Sequence, residues 1–423
     1  MKRIKLKAGA LQLVTLIGVL IALLLSAFIL LLYIHKKFSV QTDFIVETVQ
    51  QSHQGIAHVL YSKIPLNDTV FLERDTNDKV LKVFRAYWGV FEKVTTTASV
   101  KNKQFKKVAL IGSSLLKKER TALYLQDNNK PLVLVGTTKI NGTSYLPKQG
   151  VKPGNISGQS FYGQQLINGT IKSAYRLPKI APELLDALTK INEAYLERSH
   201  NNFITTTLNE TVSNSFYNQT KFIFSKSRIK LDNVELIGNI IVQSKTEIRV
   251  SASSKLKDVL LIAPKIIIED EVTGNFQALA THEIIVGKKV TLDYPSALIL
   301  KEQKNPQEDK QHHEKEHGIL LDAHSSIKGL ILYIGLDTPN NYKSQIKLEA
   351  NSHVYGEVYC TQNLELKGNV YGSVFTNNFL TSANGTIYQN HILNGTILVD
   401  QLPQEYVGLA FDNSLKHVAQ WLY

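Results

Sequence analysis

Several things are scarce in this chain, and each scarcity removes a class of function. Among 423 residues there is one cysteine, Cys360, which excludes an intramolecular disulfide and any zinc site built from cysteines. Its neighbours Val358 and Tyr359 suggest a strand carrying a small buried thiol. There is no phosphate-cradling glycine-rich loop and no convincing nucleophile triad. No Asp-Asp pair and no Gly-His-Gly is present either. Acidic residues are missing altogether from residues 1–37, which hold six Lys/Arg. Setting that segment aside lowers the net charge from +12 to +6, with 42 basic and 36 acidic residues. Read as mixed along the chain, this is an ordinary solvated surface, and it argues against a nucleic-acid partner.

Charge is also missing from Ala8 to Ile34, where only Gln12, Thr15 and Ser26 are polar. As a helix, the 25 residues from Ala10 to Ile34 would extend roughly 37 Å, enough for a hydrocarbon core of about 30 Å. A cleaved signal peptide has a shorter apolar core, about 7–15 residues, and a small-x-small exit. This run instead leaves through Leu30-Leu-Leu-Tyr-Ile34. Lys2, Arg3, Lys5 and Lys7 precede it and only Lys36 and Lys37 follow, so the amino end is expected in the cytoplasm. The expectation is a single-pass protein of a bacterial inner membrane, in contact with lipid and with most of its chain extracytoplasmic. An ectodomain of this size without a disulfide fits a bacterial source. Asn-x-Ser/Thr triplets, as at Asn67, Asn155 and Asn218, arise by chance in an Asn- and Thr-rich chain and give no support for glycosylation.

The predicted organisation begins with a basic leader (1–9) and a transmembrane anchor (10–37). Region 38–130 is an extended helix, with Phe38, Ile45, Val49, Ile56 and Leu60 at helical spacing, followed by a small α+β region. Its strands include Lys107–Gly112 and Ala122–Leu125, and Asp127-Asn-Asn129 is a turn before Leu132–Val135. Beyond it the chain is expected to be mainly β, as a parallel β-helix, a solenoid of short strands over 131–181, 201–300 and 318–400. Asn-Gly-Thr-Ile recurs at Asn168, Asn384 and Asn394, a positive-φ turn leading into a strand. Val259–Ile262, Ala278–Ala280 and Ala297–Leu300 recur about every 19 residues, interleaved with Glu247–Val250, Lys265–Ile268 and Glu283–Val286. Val354-Tyr-Gly-Glu-Val-Tyr359 returns 16 residues later as Val370-Tyr-Gly-Ser-Val-Phe375. Stacked coils need this repetition, because each buries its inner face only against its neighbours. Ordinary β-hairpins are the alternative. An amphipathic helix is predicted over 182–200, with Leu184, Leu188, Ile191 and Tyr195 on one face, and a mobile charged loop over 301–317. Residues 401–423 are expected to form a helical cap, started by Asp412-Asn-Ser414 with Leu415, Val418 and Leu422 on one side.

Three groups of residues could carry function. His313-Glu-Lys-Glu-His317 matches the His-Glu-x-x-His pattern, in which His313 and His317 would hold zinc and Glu314 would activate water. Lys315 and Glu316, within a charged tract that cannot pack on a core, favour a solvated loop instead. Arg228-Ile-Lys230 matches one polygalacturonase tripeptide without its companions, which favours a strand edge. Tyr355, Tyr359, Tyr371 and Phe375 recur at matched positions, as internal stacking or as a ladder for glycan or a protein partner. No cofactor is implied.

Two resemblances follow from these segments. The repeats around Val354–Tyr359 and Asn369–Phe375, with Leu364-Glu-Leu-Lys-Gly368 between them, resemble those of bactofilins, bacterial β-helical scaffold proteins. The amino terminus resembles a type IV pilin or secretion pseudopilin, with a basic leader ending in Gly9, a long apolar helix and a small α+β region. That resemblance implies peptidase cleavage after Gly9, leaving Ala10 first and a helix that packs in a filament. Val14 then stands where major subunits have Glu, and minor subunits can lack that Glu and carry large extra domains. The sequence thus predicts a non-enzymatic membrane-tethered scaffold or minor pilin-like subunit. Its partners would be envelope proteins or pilin-like subunits, glycan, and further copies of itself. A tethered polysaccharide lyase or hydrolase is the alternative.

Overall fold

A computed structural model describes residues 9–74, 79–115, 119–194, 211–303, 318–335, 341–412 and 414–423. The chain is mainly β and begins with one long helix. Two compact units are present, one made of residues 1–58, 69–83 and 96–107 and the other of 59–68, 84–95 and 108–423. Strands β1 (Thr69–Arg74), β2 (Lys79–Trp88), β3 (Phe91–Val100) and β4 (Lys103–Ser113) are neighbours in that order in one sheet.

In the first unit, helix α1 spans Gly9–Tyr61 without interruption. No proline or glycine pair breaks it, and its first half is long and apolar enough to cross a membrane. The character of the helix changes near Thr48. Before that point its large apolar side chains are exposed except for the half-buried Phe44, whereas Thr48, Gln51, Ser52 and Ile56 are buried. Ser52 offers its carbonyl to the Thr96 hydroxyl at 3.1 Å. Gly55 lies so close to Thr96 that an added Cβ would be 2.9 Å from its methyl group. One helix therefore shows two burial patterns, apolar all round and then amphipathic.

The second unit is dominated by parallel strand pairing that closes on itself. The residue columns expected from the repeats are present. Ile248, Ile266, Ile284, Ile319, Ile346, Leu364 and Phe379 follow one another in register, and none is more than 1% exposed. A second column runs Leu261, Ala278, Leu298, Ile331, Val358, Val374 and Leu123. A third passes from Leu292 through Ile327, Val354, Val370 and Ile397 to Ile140. Each fully buried aliphatic side chain is worth about 1.5–3 kcal/mol, so these columns are the main stabilising element of the unit. The expected positive-φ Asn occurs at two of the three Asn-Gly-Thr-Ile copies, and at the third Gly169 takes the positive φ, at 150°, in place of Asn168. Asn394 takes φ 61° and leads into a parallel strand, whereas Asn384, at φ 51°, turns an antiparallel hairpin in which Ala383 faces Thr386.

Strand order does not follow chain order. Leu123–Leu125 pair with Val374–Thr376, and Lys139–Asn141 pair with Thr396–Leu398. The first parallel strands in sequence are therefore stacked beyond the last ones. Helix α2 (Pro182–Ala194) connects this end to the strands from Thr211 onward. It buries Leu184, Leu188 and Ile191 on the outer apolar cluster, as their spacing predicts. Tyr195 and most of the charged tract, including His313, Glu314 and His317, lie outside the described residues.

The predicted carboxy-terminal helix is not formed. Lys416–Leu422 is a strand, antiparallel to β4, with Leu422 facing Val108 and Lys416 facing Ser113. Seven residues offer a helix little more than its nucleation cost, whereas the β4 edge offers unpaired backbone partners along its length. A buried ionic network secures the same strand. Arg85 binds Glu92 through two nitrogens at 2.7 and 3.0 Å and also binds Glu183 and the Ile64 carbonyl, and Lys416 reaches Glu92 at 2.7 Å.

Candidate surface-binding stripe

The repeat Val-Tyr-Gly has a simple structural content. Val354 and Val370 point into the core, and Tyr355 and Tyr371 point outward beside one another. Gly356 and Gly372 stack where no side chain fits. A Cβ at Gly356, whose φ is 153°, would lie 1.8 Å from the Gly329 carbonyl oxygen, and one at Gly372 equally close to that of Gly356. The glycines let the strands approach and leave the neighbouring tyrosines prominent.

Tyr355 and Tyr371 stack with centroids 4.7 Å apart and 28° between planes. His353 extends the stripe, lying 5.9 Å from Tyr371 at 15°, with Nδ1 3.3 Å from the Asn369 amide nitrogen. Tyr355 is 37% exposed. The four predicted aromatics nevertheless do not form one surface. Tyr359 and Phe375 are each 5% exposed. Phe411 packs on both, at 6.0 and 5.1 Å, and the Tyr359 hydroxyl donates to the Pro178 carbonyl at 2.9 Å. This half of the set is internal packing.

Between the two pairs lies Glu357, which no sequence motif singles out. Its carboxylate accepts the Leu409 N–H at 2.7 Å. Burial pushes it up to about 7, against the opposing pull of that N–H and of Arg120. Arg120 donates to the carbonyls of Leu402, Pro403, Gln404 and Tyr406. The Tyr406 hydroxyl reaches the Gly329 carbonyl at 3.0 Å, and that of Tyr294 reaches Val407 at 2.9 Å. These groups clamp residues 402–409 onto the parallel strands. No sequence pattern announces such a cluster, because its members come from five separated segments.

Other candidates resolve locally. Arg228 pairs with Glu247 at 2.8 Å and Lys230 with Asp232 at 2.8 Å, on the strand Ile229–Leu231 and its flank. The Cys360 thiol is buried and pushed up to about 12 by desolvation, which makes it unreactive. Two pairs of carboxylates are bridged by cations, Glu92 and Glu183 by Arg85 and Glu349 and Glu365 by Lys367. Among the described residues no cluster of His, Cys, Asp and Glu is suited to a metal.

No protein-family model matches the chain, and no curated protein matches it. Among solved structures it is similar to the competence-associated pilin ComZ from Thermus thermophilus, with 9% identity over 90% of this chain and 97% of that one. The TM-score is 0.23, and a likeness that loose carries no argument about fold or role.

Proposed function

We propose that this protein is a non-enzymatic, single-pass envelope protein of the minor pilin-like kind, whose large unit is a parallel β-helix acting as an extracytoplasmic scaffold. One observation carries the reading: helix α1 is continuous from Gly9 to Tyr61, exposed and apolar in its first half and buried on one face in its second. A tether that only anchors does not need this second half. A subunit whose helix both sits in the membrane and forms the spine of its own folded unit does. Lys36 and Lys37 mark the exit from the lipid, and the basic leader keeps the amino end in the cytoplasm.

The β-helix reading rests on the three in-register columns and on the 16-residue step that superposes Val354–Tyr359 on Val370–Phe375. Tyr355, Tyr371 and His353 would then provide a rigid outer stripe for an envelope protein, another subunit or a glycan. The alternative, a tethered polysaccharide-processing enzyme, needs two or more carboxylates held for acid–base work. The bridged carboxylate pairs are neutralised by their cations, which weighs against it. The experiment is intact-mass and peptide mass spectrometry of the protein from its native membrane. A mature chain starting at Ala10 supports a pilus or secretion-filament subunit, and one retaining Met1 replaces that role with a stationary tethered scaffold.

A further inference from the structure

The charge of residues 38–423 is not mixed along the sequence. Between residues 121 and 180 stand seven Lys/Arg and one acid, Asp127, and without this segment residues 38–423 hold 35 basic and 35 acidic residues. This segment carries +6 by itself, and residues 79–120 form a second basic stretch, with eleven Lys/Arg against Glu92 and Glu119. All seven basic residues of 121–180 are exposed. Ion pairs are formed elsewhere on the unit, as in Arg228–Glu247, Lys265–Glu283 and Lys328–Asp293. Asp127 is turned to backbone donors, its Oδ1 accepting the Asn129 N–H at 2.9 Å and its Oδ2 the Lys148 N–H at 3.4 Å.

Aromatic side chains are built into the same segment. The aromatic column that is covered at Tyr359 and Phe375 continues in register through Tyr124 and Tyr145 to Lys172. Tyr124 and Tyr145 stack at 4.9 Å and 19°, and the Lys172 ammonium lies 5.4 Å from the Tyr145 centroid. Tyr175, 66% exposed, has Lys148 at 5.9 Å from its ring. The backbone N–H of Tyr175 is 3.5 Å from the Tyr124 hydroxyl, and its carbonyl accepts the Asp127 N–H at 3.0 Å. The rings thus lie within cation–π range of the two ammonium groups at the surface.

We infer that the Tyr124–Tyr145–Tyr175 shelf, with Lys148, Lys172 and Arg176, is a binding site for an acidic polysaccharide. Exposed cations with no carboxylate partner among the described residues suit a polymer bearing one negative charge per residue or two. Tyrosine edges suit hydroxyl groups, as do the exposed amide oxygens of Asn128 and Gln149, whose nitrogens already donate to Asn377 and to the Asn129 carbonyl. Single-stranded nucleic acid fits less well, because it is held on open aromatic faces. Here Tyr124 and Tyr145 close on each other, and cations lie over Tyr145 and Tyr175. The choice of an extracytoplasmic polymer rests on the orientation proposed above, whereas the electrostatics of the site does not.

The test is fluorescence anisotropy with labelled polygalacturonate oligomers and the full chain in non-ionic detergent. Saturable binding that weakens with salt is expected. Replacing three exposed cations (Lys148→Gln, Lys172→Gln, Arg176→Gln) should weaken it about tenfold, equivalent to about 1.4 kcal/mol. Tyr175→Ala should also weaken it, and Lys255→Gln with Lys288→Gln, remote from the shelf, should leave it unchanged. Absence of binding, an equal loss in the remote variant, or tighter binding of oligothymidylate than of polygalacturonate would each overturn the assignment.

Discussion

Tyr355 and Tyr359 lie on the same side of one strand, four residues apart, and each has an aromatic partner in register on the next strand. Tyr355 remains 37% exposed and Tyr359 only 5%. Alternation along a strand assigns both to the outer face, and both are there. It does not say what covers the outer face. Phe411, Pro178 and α2 come from distant parts of the chain and roof over one pair while leaving the other open. Glu357 sits between them, half-buried, with its carboxylate under the same covering segment.

This contrast can be broken at either end. Phe375→Ala should destabilise the protein by about 3–5 kcal/mol, because it opens a cavity in a packed aromatic cluster. Chemical denaturation followed by the fluorescence of Trp88, itself packed edge-on against Phe216, measures it. A cost below about 1 kcal/mol would mean that the cover over Phe375 does not pack.

The middle position is sharpened by pH. Glu357 is raised from 4.5 to about 7 in the folded protein, so the folded state binds its proton more tightly than the unfolded chain does. Its contribution favours folding below about pH 4.5 and is lost as pH rises through about 7. At 1.36 kcal/mol per unit, the change across that window is at most about 3.4 kcal/mol. Glu357→Gln should flatten this part of the stability profile, and an unchanged profile would place the carboxyl in contact with water.

Smaller effects separate the tyrosines. Tyr359→Phe removes the hydroxyl donated to Pro178 and should cost about 1 kcal/mol. Tyr371→Ala, on the exposed pair, should alter stability by no more than about 0.5–1 kcal/mol, the range for surface sites and aromatic pairs. If it costs as much as Phe375→Ala, the stripe is structural and unsuited to binding.

Much of the architecture is legible in the order of the residues. The 16-residue return of Val-Tyr-Gly is legible because parallel strands in register place like on like, so a stack writes itself as a repeat. The apolar first half of α1 is legible because a helix that is apolar all round is written as an unbroken run. The carboxy terminus is not. Leu415, Val418 and Leu422 fit helical spacing, but the β4 edge from Val108 to Ser113 is open to Lys416–Leu422, and that edge lies some 300 residues away in sequence. The basic segment 121–180 is visible in the residues but averages out over the whole chain. Asp127, Tyr124 and Tyr175 come together only through the loop that ties residue 175 to residue 127.

Local chemistry settled the long apolar helix, the repeating strands, the inward valines and isoleucines, the inert Cys360 and the glycine column, since each depends on neighbours in sequence or on a short repeat. Folding in three dimensions settled the stacking of residues 121–141 beyond 374–398, the strand at the carboxy terminus, the half-buried Glu357 and the division between covered and open aromatics. Those outcomes depend on which distant segment reaches an unpaired edge or an apolar face first and buries it best, and no periodicity within a segment encodes the identity of its cover.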